Sequence, residues 1–139
     1  MQEEALQGNE NIEQAIAALQ QNATPELLAH ALTAIRRRIR ENGQFVVAVE
    51  PSPGTTQMSL KVVQTPDGRA WWYAFTSFEE ELKGGGSVMS TFLTGIHPLF
   101  ESALKTEGIE GVIINPWNRT LMLDKNLIQI VLGQPKGDS

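Results

Sequence analysis

The residue types best suited to recognition lie together in one turn, Asn115-Pro116-Trp117-Asn118-Arg119. An indole, two amides and a guanidinium on one loop can hold a peptide or a small anion, because the ring anchors a contact that the polar groups orient. The same residues also have a structural interpretation, in which Asn-Pro begins a tight turn and Trp117 folds back over the end of the sheet. General turn chemistry favours the structural interpretation. The turn is still the best candidate surface in the chain.

A second polar segment begins at Thr76 and Ser77 and continues into three glutamates at 79–81. Either hydroxyl could serve as a nucleophile, but the G-x-S-x-G pattern is absent and no histidine is near in sequence. Ser77 and Glu80 have the spacing of a capping box, and carboxylates stabilise the first turn of a helix. Capping is therefore the favoured role of this segment.

The remaining signals for catalysis are weak. The chain has no cysteine, which excludes thiolate catalysis, disulfides and cysteine zinc sites. His30 and His97 stand far apart and lack metal-ligand spacing. The glycines at 84–86 lack the lysine of a phosphate-binding loop. We therefore predict a protein that is not an enzyme, with no catalytic residue, no cofactor and no metal.

Charge bears on the class of partner. The run Arg36-Arg37-Arg38-Ile39-Arg40 could bind phosphate, but it also suits the last turns of a helix, where cations complement the dipole. A net charge of −5 and the lack of interleaved aromatic residues favour a solvated helix end. No apolar run has the length of a membrane span, and no signal peptide is visible. We expect a cytoplasmic protein whose partner is a protein or small ligand rather than nucleic acid or membrane.

Two helices are predicted before the first strand. Apolar residues recur at helical spacing over 12–19, and again over 27–39. Thr24 and Pro25 suit the start of the second helix, and Asn42-Gly43 suits its end. These segments predict a helical hairpin, with polar and frayed residues at 1–10.

The rest of the chain alternates strands and helices. Pro66-Asp67-Gly68 predicts a β-hairpin between 58–65 and 70–75. Trp71 and Trp72 must then point to opposite faces, either both in the core or one on an exposed platform; the core is favoured for both. The other predicted strands are 45–49, 88–93, 112–115 and 120–123, with helices after Ser77, from Pro98 to Lys105, and after Asp124.

These elements predict an α+β fold, a mixed β-sheet with an N-terminal helical hairpin and further helices packed on it. A hydrophobic fraction of 41% and a charged fraction of 19% fit an ordinary folded protein. We expect a single domain over residues 1–139, with its core at about 11–133.

The segment 111–116 (GVIINP) and the preceding 74–80 (AFTSFEE) closely resemble the N-terminal domain of the SseB family, the enhanced serine sensitivity proteins. The resemblance covers about residues 11–133 and implies no catalytic residues. Because catalytic signals are absent from the sequence, our first hypothesis is a non-catalytic binding or regulatory module of this type. The alternative is an enzyme or metabolite-binding accessory protein linked to serine or other amino-acid metabolism.

Both family motifs end strands, so we expect them to converge at one edge of the sheet. Trp117 and Arg119 should then lie beside Thr76 or Phe78. The candidate binding surface therefore consists of Asn115, Trp117, Arg119, Thr76 and Phe78.

Overall fold

The N-terminal part of the chain forms the helical hairpin that its apolar spacing predicts. In the computed structural model, which describes residues 6–51, 58–77, 90–116 and 120–133, helix α1 spans Asn9–Gln21 and α2 spans Pro25–Arg40. The Thr24 hydroxyl caps α2 by accepting a hydrogen bond from the backbone N–H of Leu27 at 3.1 Å. The prediction that residues 1–10 are frayed is wrong for Leu6 and Asn9, which are buried.

In the described residues, seven strands and two more helices follow the hairpin. The β4–β6 pair is parallel, and each of the other pairs among the described strands is antiparallel. Strand β1 pairs with β5, β4 and β2, whereas β4 also pairs with β3 and β6, and β6 with β7. The mixed sheet and its helices confirm the α+β prediction. The strands are β1 Gln44–Pro51, β2 Met58–Leu60, β3 Val62–Gln64, β4 Ala70–Phe75, β5 Ser90–Gly95, β6 Gly111–Ile114 and β7 Leu121–Asp124; the helices are α3 Ile96–Lys105 and α4 Lys125–Leu132.

The β-hairpin around Pro66-Asp67-Gly68 is confirmed, because β3 pairs antiparallel with β4 from Val62 opposite Trp72 to Gln64 opposite Ala70. The predicted first strand is nevertheless interrupted at Lys61. Its earlier half is the separate strand β2, which pairs with the end of β1. Strands β1 and β4 pair with each other over only a short stretch. Beyond it, β2 pairs with β1 and β3 pairs with β4.

Two helix boundaries bear on the sequence predictions. Helix α3 begins at Ile96 rather than Pro98, since β5 runs directly into it through Gly95. Pro98 remains within the first turn, where its missing N–H costs no hydrogen bond. Asp124 caps α4 as predicted, by accepting a hydrogen bond from the N–H of Leu127 at 2.9 Å. The helix predicted after Ser77 lies outside the described residues.

The sheet has a buried cluster of side chains on each face. The four described helices contribute only to the first cluster, where Ile12, Ile35 and Phe100 meet strand residues such as Phe45. Trp72 is partly buried against this cluster. The second cluster contains Leu6, Val46, Ala48, Trp71, Tyr73, Phe75 and Ile113. The two tryptophans therefore lie on opposite faces, as the strand alternation predicts.

Helix length and polarity bear on a membrane location. Within the described ranges, no helix combines the length and the apolar character that crossing a bilayer requires.

Candidate functional site

The two polar motifs converge at one edge of the sheet. Because β4 and β6 are parallel and Ala74 lies opposite Ile114, the residues that follow each strand come out side by side. The backbone N–H of Thr76 donates to Asn115 Oδ1 at 2.9 Å, and Asn115 Nδ2 donates to Thr76 Oγ1 at 3.1 Å. The predicted convergence of the motifs is confirmed.

Asn115 is held at both its backbone groups as well as its side chain. Its N–H donates to the carbonyl of Ala74 at 2.8 Å, and its carbonyl accepts a hydrogen bond from the Thr120 hydroxyl at 2.7 Å. Its φ of 54° lies in the left-handed region, which asparagine tolerates better than most residues. The two ends of the turn between β6 and β7 are therefore fixed in place.

Thr76 is fully buried and uses its polar groups internally. Its hydroxyl donates to the carboxylate of Glu13 on α1, and its carbonyl accepts a hydrogen bond from Asn9 Nδ2 at 3.0 Å. These contacts join the end of β4 to α1. A hydroxyl in this setting positions the chain, because it has no surface open to a substrate.

Asn9, which was not predicted from the sequence, links α1 to β1, to the end of β4 and to α2. Its Nδ2 also donates to the carbonyl of Gln44 at 2.8 Å, and its Oδ1 accepts a hydrogen bond from Arg38 Nε at 2.7 Å. Asn9 is 1% exposed, so these bonds satisfy polar atoms that water does not reach. The buried polar network therefore runs from β6 through Thr76 and Asn9 to α2.

The prediction of a solvated arginine run is wrong for Arg38, which is 6% exposed. Its Nη1 donates to Glu41 Oε1 at 2.8 Å. A Cβ at Gly43 would lie 2.7 Å from Arg38 Cζ, so glycine gives the guanidinium its space. The spacing did contain a signal: Arg38 follows Ile35 by three residues and Asn9 precedes Ile12 by three, so both continue apolar stripes.

Neither histidine is among the described hydrogen-bond partners of Thr76 or Asn115. His97, about half exposed on α3, has its Nδ1 3.6 Å from Glu101 Oε1, and His30 is exposed on α2. In the described part of the chain, no group of three or more histidine or carboxylate side chains is placed to hold a metal ion.

The structure describes two of the five residues of the candidate binding surface. Asn115 and Thr76 lie together and are buried, whereas Trp117, Arg119 and Phe78 lie outside the described residues. A partner cannot contact the two buried side chains in this arrangement. Their observed role is to hold the ends of the segments that carry the other three.

Comparison with known proteins identifies the family of this chain. No curated protein and no solved structure matches the chain significantly. The family described as SseB protein N-terminal domain matches residues 12–129. This range runs from α1 into α4 and contains both converging motifs. The chain therefore belongs to the SseB N-terminal domain family.

Proposed function

We propose that the chain is a non-catalytic binding or regulatory module whose recognition surface is the turn over residues 116–119. The main support for this proposal is the set of hydrogen bonds that hold Asn115 in place. Its side chain bonds to Thr76, and its backbone bonds to Ala74 and Thr120. A turn whose ends are held in this way loses less conformational entropy when it binds a partner.

Burial of the candidate nucleophile supports a binding role over catalysis. A nucleophile must reach its substrate, whereas the Thr76 hydroxyl is enclosed and bonded to Glu13. Neither histidine is among the described hydrogen-bond partners of Thr76.

The proposed partner is a protein or a small ligand in the cytoplasm. Trp117 would supply an aromatic anchor, and Arg119 would supply charge-assisted hydrogen bonds to a carboxylate. The net charge of −5 supports neither a nucleic-acid nor an anionic membrane partner.

One observation favours the alternative, an enzyme or metabolite-binding accessory protein linked to serine or other amino-acid metabolism. A carboxylate that accepts a hydrogen bond from a hydroxyl, as Glu13 does from Thr76, is also the arrangement of a base beside a nucleophile. This role would require Thr76 to become uncovered.

The recognition surface can be tested with the double variant Trp117→Ala/Arg119→Ala. Immobilised wild-type and variant proteins would be compared for the proteins they retain from an extract of the source cells. A matched control is Phe92→Ala/Arg36→Ala, which removes an exposed aromatic and an exposed arginine elsewhere; Phe92 is 49% exposed on β5. We expect the first variant to lose specific partners and the control to keep them, with both melting near the wild-type temperature.

If the first variant unfolds, or retains the same proteins as wild type, the turn is structural and the proposal fails. A thermal-shift screen against amino acids and nucleotides addresses the alternative. A ligand that binds only the native state at 100 times its Kd adds about 2.7 kcal/mol to stability. Turnover of such a ligand, abolished by Glu13→Gln, would favour the enzyme.

A further inference from the structure

A groove of about 270 Å³ lies between α1 and α2, and its described lining contains no residue of the two converging motifs. Its floor contains small side chains from both helices. Its polar groups comprise amides on α1 and cationic or polar side chains on α2. The lining residues are Asn11, Gln14, Ala15 and Ala18 on α1, and His30, Thr33, Ala34, Arg37 and Arg38 on α2.

Basic side chains line this groove in a protein that is acidic overall. Two arginines and a histidine line it, and none of the described lining residues is an aspartate or glutamate, although the chain carries a net charge of −5. Arg38 is already engaged by Asn9 and Glu41. The Arg37 side chain is exposed and makes no hydrogen bond or ion pair with the other described residues. Its guanidinium is therefore available to an oxyanion.

The dimensions of the groove select a small ligand. Its volume lies just below the range of about 300–1,000 Å³ typical of ligand pockets. Ala15, Ala18 and Ala34 leave the floor open, because a larger side chain at any of them would occupy it. Asn11 and Gln14 offer both donors and acceptors opposite Arg37.

A structural role for Arg37 needs no ligand, since a cation in the last turn complements the dipole of α2. Arg40 lies in the same last turn and meets that need without lining the groove. Arg36 instead reaches toward α4, where its Nη2 lies 3.5 Å from a Cβ built on Gly133. The dipole therefore leaves the convergence of Arg37 with His30 and the α1 amides unexplained.

We infer that this groove binds a small organic anion through a carboxylate or phosphate group held by Arg37, with His30 beside it. The amides of Asn11 and Gln14 orient the rest of the ligand above the alanine floor. This inference extends the small-ligand side of the proposed function, but it concerns a different surface from the 116–119 turn.

The test is an NMR titration of the ¹⁵N-labelled chain with succinate, glycerol phosphate and inorganic phosphate. We expect saturable chemical-shift changes confined to the backbone amides of residues 11–18 and 30–38. If succinate causes them, the bound group is a carboxylate; if the phosphate probes cause them, it is a phosphate. Arg37→Gln should weaken binding about tenfold or more, as loss of a charge-assisted hydrogen bond does. The matched control Arg36→Gln should bind within about twofold of wild type.

A second variant tests the floor independently of charge. Ala34→Met should block binding without lowering the melting temperature, because position 34 is only partly buried. Equal weakening by Arg36→Gln and Arg37→Gln, or shifts that never saturate, would overturn the inference and indicate nonspecific attraction to a helix end. The Trp117→Ala/Arg119→Ala variant should bind the anion normally. The test of the groove is therefore independent of the test of the 116–119 turn.

Discussion

At the scale of the residue, Asn115 meets two requirements that alanine does not. Its backbone is left-handed, with φ at 54°, and its Oδ1 accepts the buried N–H of Thr76. Asn115→Ala should lower the free energy of unfolding by about 2–4 kcal/mol, because it adds an unsatisfied buried donor to the backbone strain. Urea unfolding followed by circular dichroism measures this change.

Asn42 provides the matched control, since it has a similar φ of 59° but is exposed at the end of α2. Asn42→Ala should cost only the backbone term, about 1 kcal/mol. Equal losses for the two variants would contradict the role given to the Asn115 side chain.

Arg38 carries a second residue-scale prediction. Arg38→Ala should cost about 2–4 kcal/mol, because it leaves Asn9 Oδ1 without its donor and opens space beside Gly43. Arg38→Lys should recover only part of this loss, since one ammonium cannot reproduce the geometry of Nε and Nη1. The exposed Arg36→Ala should change stability by less than about 0.5 kcal/mol. A loss at Arg36 equal to that at Arg38 would count against the network.

Asp67 links the hairpin turn to pH. Its pKa lies below the ordinary value of 3.8 because the Thr65 hydroxyl, and then the backbone N–H of Arg69, donate to the carboxylate. A lowered folded-state pKa stabilises the fold above the unfolded pKa, and this contribution is lost as pH falls through the folded value. Asp67→Asn should therefore be less stable than wild type at pH 6, with the difference closing below about pH 3.8. A difference in unfolding midpoint that does not vary with pH would refute this linkage.

At the scale of the element, the β6–β7 pair depends on Gly111. A Cβ at this position would lie 2.0 Å from the carbonyl oxygen of Leu123 on the facing strand. Gly111→Ala should therefore destabilise the protein by about 3 kcal/mol, the upper end of overpacking costs, because the obstacle is backbone that cannot rotate away.

Gly108→Ala is the matched control for Gly111→Ala, because it tests the backbone conformation without a steric clash. Gly108 has a φ of 87° but no atom within 4 Å of the added Cβ. Its replacement should cost only about 1 kcal/mol in a thermal or urea melt. If Gly108→Ala is the more harmful of the two, close strand approach is not the constraint at Gly111.

Elements set by local chemistry were predictable from the sequence, as Thr24, Asp124 and the Pro66-Asp67-Gly68 turn illustrate. The interruption at Lys61 was not, because it depends on β1 and β4 diverging and each taking a separate partner. Convergence of the motifs was predictable from their positions at strand ends. Glu13 and Asn9 were not, since their partners are 63 and up to 67 residues distant in sequence.

At the scale of the whole molecule, the sheet joins two buried clusters. The described helices pack on one face, and Leu6, far from the strands in sequence, contributes to the cluster on the other. The polar network connects α1, α2, β4 and β6, so the helical hairpin is tied to the sheet by hydrogen bonds as well as by apolar packing. Separate unfolding of the hairpin would expose Asn9, Thr76 and Arg38 together.

The expectation of a single domain can be tested with the tryptophans. Trp71 belongs to the second cluster and Trp72 packs against the first. In a Trp117→Phe background, further replacement of either residue by phenylalanine leaves one fluorescent reporter for each face. We expect fluorescence and far-UV circular dichroism to give the same urea midpoint within each variant, because a small single domain unfolds in one cooperative step. If Trp71 fluorescence changes at lower urea than the dichroism, the second face opens first and the single-domain expectation fails.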